Sequence, residues 1–123
     1  MEIFAKVHPP ELKALKHNYA HLILRVRNNK RGYKWYEAEI EVPKKLSLSH
    51  DYTLTKARVR LGILHRNEYL ERHIRLYASP YTNAGEYNVK ISVFAYGKDG
   101  VIDERMDAIL TVKVIPLEET IIV

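Results

Sequence analysis

Ser49-His50-Asp51 brings together the three residue types of a hydrolase triad. Consecutive residues on an extended chain point to opposite sides, so these three do not form the relay of hydrogen bonds that activates a hydroxyl. Short polar side chains in such a place bond to nearby backbone, and Ser49 and Asp51 are expected to shape a turn. His17 and His21 would share one face of a helix and could hold a metal ion there. On a strand the same step separates them by roughly 13 Å, too far for one ion. His8, His65 and His73 are scattered along the chain, and no metal site is expected. Glu37, Glu39 and Glu41 recur at every second position. Carboxylates run glycoside hydrolysis when a cleft sets them apart and raises one pKa. On a solvated strand they pair with cations, and Lys90 and Lys113 are the expected partners. Cysteine is absent, which removes disulfides, thiolate zinc sites and cysteine nucleophiles. With no glycine-rich phosphate cradle either, the chain reads as a non-enzyme without catalytic residue, metal or cofactor.

Two groups of residues suggest binding instead. Arg25, Arg27, Lys30, Arg31 and Lys34 are interleaved with Tyr33, Trp35 and Tyr36. Cations neutralise phosphates and aromatic faces stack on unpaired bases, so Arg25, Arg27, Arg31, Tyr33 and Trp35 are candidate contacts to a single-stranded nucleic acid. The second group is Trp35, Phe94, Tyr96, Ile109 and Ile115, with Glu39, Lys90 and Lys113 around them. Large apolar groups on one face within a charged rim suggest a protein interface, in the simplest case a homodimer. This second reading is preferred, with nucleic-acid binding as the alternative.

Both groups depend on strands to position them. Tyr87, Val89, Ile91, Val93 and Ala95 fall on one face of a run that ends at Gly97-Lys98-Asp99-Gly100, and Met106, Ala108, Leu110, Val112 and Val114 fall on one face of the next. Period-two alternation flanking an Asp-Gly turn is a β-hairpin. Upstream, Ala20, Leu22, Leu24 and Val26 alternate with His21, Ile23, Arg25 and Arg27, and Tyr36, Ala38, Ile40 and Val42 alternate with Trp35 and the three glutamates. Ile3 to Val7, Leu46 to Leu48, Ala57 to Ile63 and Leu70 to Leu76 add shorter segments. Arg72 falls on the apolar side of the last, at a sheet end or a bulge. A competing reading lets Pro10 open a helix with Leu12, Leu15, Tyr19 and Leu22 on one face. About seven strands at this spacing make an all-β, antiparallel β-sandwich. One domain is expected over residues 1–115, and residues 116–123 form an apolar tail able to add an edge strand.

His8-Pro9-Pro10, Leu24-Arg25-Val26-Arg27-Asn28 and Ala84-Gly85-Glu86-Tyr87-Asn88-Val89 resemble the immunoglobulin-like modules of archaea and bacteria, of CARDB type. The resemblance covers most of the chain as a spacing pattern. It implies an immunoglobulin-like fold, a non-catalytic module that binds or spaces, and a tyrosine corner at Tyr87 whose hydroxyl returns to upstream backbone. The chain departs from such modules in lacking the cysteine pair of antibody domains, and its first residues are read as carrying no secretion signal.

Twenty Lys and Arg against fifteen Asp and Glu give a net charge of +5, which permits a nucleic-acid partner without demanding one. No apolar run approaches the roughly 20 residues of a membrane helix, so no membrane partner is expected and the location is read as cytoplasmic. Scarce Met, absent Gln and interspersed charges of both signs suit a thermophile.

Overall fold

Ala20, Leu22, Leu24 and Val26 are fully buried while Arg25 and Arg27 beside them stand in solvent, and a similar alternation marks β1 and β4 and most of β9. The computed structural model describes residues 1–117. Among the described residues nine strands follow in order: β1 (Glu2–His8), β2 (Glu11–Lys13), β3 (Asn18–Arg27), β4 (Lys34–Glu41), β5 (Leu46–Ser47), β6 (Lys56–Leu64), β7 (Tyr69–Ala78), β8 (Gly85–Tyr96) and β9 (Ile102–Ile115). No helix occurs among the described residues, and so none is long and apolar enough to cross a membrane. The strands form a four-stranded sheet, β1-β3-β7-β5, and a five-stranded sheet, β2-β9-β8-β4-β6. Side chains from both meet in one core. Leu22, Leu24 and Leu76 come from the first sheet, and Tyr36, Ile40, Val89, Ile91 and Val112 from the second.

The expected final hairpin is β8 and β9, paired antiparallel from Gly85↔Val114 to Tyr96↔Ile102. Its turn is closed by hydrogen bonds from Gly97 N–H to the Val101 carbonyl and from Gly100 N–H to the Gly97 carbonyl. Gly100 sits at φ 76°, where a glycine is needed. The strand count exceeds seven because β2, of three residues, is too short to show a periodic signal, while the short segment expected at Leu46 to Leu48 is present as the two-residue β5.

The helical reading of residues 10–22 is overturned. Leu15 has φ 55°, which reverses the chain, and the Asn18 side chain closes the reversal. Its amide donates to the Lys13 and Lys16 carbonyls, and its oxygen accepts from Lys13 N–H. The reversal returns the chain to the sheet of β1 as β3, while β2 before it lies in the other sheet and pairs parallel with β9, which buries Leu12 completely. Arg72 does occupy an inward position, opposite Leu24, and resolves it by donating 2.6 Å to the Leu61 carbonyl of the other sheet. Of the apolar tail, Pro116 and Leu117 lie outside any strand, and residues 118–123 lie outside the described residues.

Leu24→Ala, which hollows the shared core, is expected to lower unfolding free energy by about 2–5 kcal/mol in chemical denaturation. Lys90→Ala, outward on β8, should change it by less than about 0.5 kcal/mol.

Candidate functional site

Period two gives each sheet an outer face, and the two outer faces differ. On the five-stranded sheet, β9, β8, β4 and β6 lie side by side. Here the anticipated open aromatic patch is corrected: Phe94 is 5% exposed and Tyr96 8%. The guanidinium groups of Arg58 and Arg105 lie 5.0 and 5.3 Å from the Phe94 ring centroid and cover it. Tyr96 stacks on Trp35 with centroids 3.9 Å apart and planes within 9°. Ile109 is exposed and Ile115 half-buried, and six residues of strand, about 20 Å, separate them. The five residues therefore form no single patch. What the register does align is a row across the sheet, Ile102, Tyr96, Trp35 and Ile63, whose two ends are open, Ile63 at 62% exposure.

Ion pairs fill the rest of this face. Arg58 meets Glu37 at 3.5 Å and Glu39 at 3.3 Å, Lys56 meets Glu39 at 3.0 Å, and Arg105 meets Asp107 at 3.1 Å. Lys56 and then Arg58 hold the Glu39 carboxyl below its ordinary range. Glu41 has no ion pair among the described residues. Glu37 and Glu39 take partners from β6, not from Lys90 and Lys113 as the sequence suggested, because Lys56 and Arg58 stand beside them, whereas Lys90 lies opposite Glu41 and Lys113 lies on β9, beyond β8. Glu37 and Glu39 are engaged carboxylates on an open strand, without the cleft that acid–base hydrolysis needs.

On the four-stranded sheet, the outward residues of β1, β3 and β7 stand in cross-strand rows. Glu2, Arg27 and Tyr69 share the first row; Phe4, Arg25 and Glu71 the second; Lys6, Ile23 and His73 the third; His8, His21 and Arg75 the fourth; Tyr19 and Tyr77 the last. Tyr69 is 60% and Phe4 58% exposed. The Arg25 guanidinium lies 4.9 Å from the Tyr69 centroid, and that of Arg75 lies 4.8 Å from Tyr19. Such stacking orients a guanidinium without neutralising it; Arg25 gives part of its N–H edge to Glu71, while Arg75 donates to the Tyr77 hydroxyl and has no carboxylate partner among the described residues. Glu71 bonds His73 at 3.0 Å and Arg25 at 3.1 Å, and these partners hold its carboxyl low. An open depression of about 520 Å³ runs between Phe4, Arg25, Arg27 and Tyr69. At the far end His17 stacks near Tyr77 and hydrogen-bonds Tyr52, which carries the aromatic surface onto the loop after β5.

The nucleic-acid set predicted from residues 25–36 is thus divided. Arg25 and Arg27 stand on this face, Arg31 lies in the β3–β4 loop, Tyr33 packs by His65 and Lys98, and Trp35 belongs to the other sheet. Asn28 causes the break in direction, since its buried amide ties the Gly32 and Leu64 carbonyls. Phe4, Tyr19, Tyr69 and Arg75 were missed. Each carries the signal of an outward position, but the pairing of β1, β3 and β7 that unites them is long-range.

The triad-like tripeptide is a turn. Ser49 donates to Asp51 at 2.6 Å, as does the Thr53 hydroxyl at 2.7 Å, and these bonds hold the Asp51 carboxyl at about 2. Among the described residues no three His, Cys, Asp or Glu side chains are grouped as a metal site.

No family model matches the chain, and no curated protein matches it. Among solved structures, it is similar over 96% of its length to 95% of BslA, a bacterial hydrophobin, with TM-score 0.53 and 14% identity. The shared feature is the fold.

Beneath the stacked Trp35, the Tyr36 hydroxyl is buried without a partner. Burial first, then Glu104 and Asp103, push its pKa from 10.0 up to about 12. The folded chain therefore holds a proton that the unfolded chain loses near pH 10, so this group leaves stability unchanged below pH 10 and lowers it between pH 10 and 12. Tyr36→Phe should flatten that alkaline loss in denaturation measured across pH 8–12. At neutral pH it should leave stability unchanged or raise it by about 1 kcal/mol, because an orphaned hydroxyl is removed.

Proposed function

We propose that the chain is a non-catalytic binding module of immunoglobulin-like type that holds single-stranded nucleic acid on the outer face of its four-stranded sheet. The observation that carries this reading is the pair of exposed arginine–tyrosine stacks, Arg25 on Tyr69 and Arg75 on Tyr19, at opposite ends of one open face. Unpaired bases stack on tyrosine and phenylalanine rings, while Arg25, Arg27, Arg75 and Lys6 face the phosphates. The carboxylates of this face, Glu2 and Glu71, pair with Arg27 and Arg25 and are fewer than its cations, which leaves Lys6 and Arg75 without a carboxylate partner among the described residues. The immunoglobulin-like assignment is supported by two sheets around one core and by Tyr87, whose hydroxyl donates 2.7 Å to the Asn83 carbonyl.

Fluorescence titration with labelled single-stranded oligonucleotides should give an affinity that falls with salt. Tyr69→Ala and Tyr19→Ala should each weaken it about 5- to 150-fold, as loss of one stacked base costs about 1–3 kcal/mol. Arg75→Ala should flatten the salt slope by about 0.7. Trp35→Ala, on the other sheet, should leave it unchanged. Absence of salt-sensitive binding would sink the reading.

A second reading, a protein interface, is favoured by the row Ile102–Tyr96–Trp35–Ile63, which leaves large apolar side chains open beside paired charges. For this reading Trp35→Ala and Ile63→Ser should both reduce association measured by light scattering while the fold is retained.

A further inference from the structure

The edges of the two sheets are β1 and β5 in one and β2 and β6 in the other. An unpaired edge offers a row of N–H and C=O groups to any other strand, and proteins guard such edges by shortness, bulges or like charge. β5 and β2 have two and three residues. β6 is long, but its pairing with β4 shifts register at Tyr36/Glu37, and its outward side chains are Lys56, Arg58 and Arg60. A second β6 laid antiparallel with Arg58 on the two-fold axis would set Arg58 against Arg58 and Lys56 against Arg60. That edge repels its own copy.

β1 lacks each of these guards. It runs seven residues in unbroken register with β3 and contains no proline. Its inward side chains Ile3, Ala5 and Val7 pack on the core yet remain half-buried, so their outer flank is uncovered among the described residues. We propose that β1 docks on β1 of a second copy of this chain, antiparallel, with Ala5 on the two-fold axis.

Complementarity along the strand supports the second copy as the occupant. With Ala5 opposite Ala5, Ile3 meets Val7 on the inner face, and Phe4 meets Lys6 and Glu2 meets His8 on the outer face. Every pair is apolar with apolar, aromatic with cation, or acid with imidazole, and all seven residues are used. A shift that puts Lys6 on the axis sets two ammonium groups together. One that puts Phe4 there uses only residues 2–6. The joined sheet has eight strands, four from each copy, and carries the aromatic and basic rows of both copies on one side. This docking is independent of whether that side binds nucleic acid.

The chain has no native cysteine, so single cysteines report the register without interference. Ala5→Cys, Phe4→Cys and Lys90→Cys, the last on the opposite sheet, would be treated with an oxidant or a short bis-maleimide and run on a denaturing gel, with native mass read by light scattering. The proposal expects a mass approaching twice 14.4 kDa at high micromolar concentration and a covalent dimer from Ala5→Cys, at least tenfold more than from the other two. A mass of 14.4 kDa throughout would overturn it. So would a dimer that cross-links through Phe4→Cys or Lys90→Cys in preference, or through none of the three.

Discussion

Each long strand of this protein must keep one of its faces dry, and everything else follows from that requirement. Leu22, Leu24, Ile40, Val89, Ile91 and Val112 interlock between the two sheets at zero or near-zero exposure, and the inner faces have no room for chemistry. Apart from the unpartnered Tyr36 hydroxyl, the buried polar side chains Asn28, Ser47 and Thr82 are tied to backbone. Asn28 holds the Gly32 and Leu64 carbonyls, and the Thr82 hydroxyl donates 2.7 Å to the Lys45 carbonyl. Period two then hands every other residue to solvent, so what the protein presents to its surroundings is a pair of flat surfaces with separate compositions.

Those compositions set the two surfaces different tasks. On the five-stranded sheet, opposite charges alternate from strand to strand, and guanidinium groups are drawn down over Phe94. The aromatic rings there are part of the molecule's own packing. On the four-stranded sheet the arginines lie on rings that are themselves open, and the cations outnumber the carboxylates near them. The same residue type, arginine on an aromatic ring, closes one surface and equips the other. The difference is the exposure of the ring beneath, 5% for Phe94 against 60% for Tyr69 and 43% for Tyr19.

Much of this arrangement was legible in the sequence. The alternation over β3, β4, β8 and β9 and the turn at Gly97 to Gly100 rest on local pattern, which strand geometry converts directly into faces. Burial of Phe94 was not legible, because the groups that cover it come from β6 and β9 and their reach depends on pairing order. The open face escaped for the same reason. Phe4, Arg25 and Glu71 are neighbours across three strands but are separated by 21 and 46 residues of chain, and no local window joins them. The tripeptide at Ser49 shows the converse case: it is a local feature, and backbone geometry alone sufficed to read it as a turn.

β2 gives the sandwich a mechanical property. The chain passes from β1 in one layer to β2 in the other, and β2 lies parallel to β9 through Glu11↔Lys113, Leu12↔Val114 and Lys13↔Ile115. Tension applied along the polypeptide from outside residues 11 and 115 draws these two strands past each other lengthwise. Their hydrogen bonds are then loaded in shear and at once, with Leu12 as a buried peg. The short segment acts as a clasp, resisting stretch far more than its three residues add to equilibrium stability.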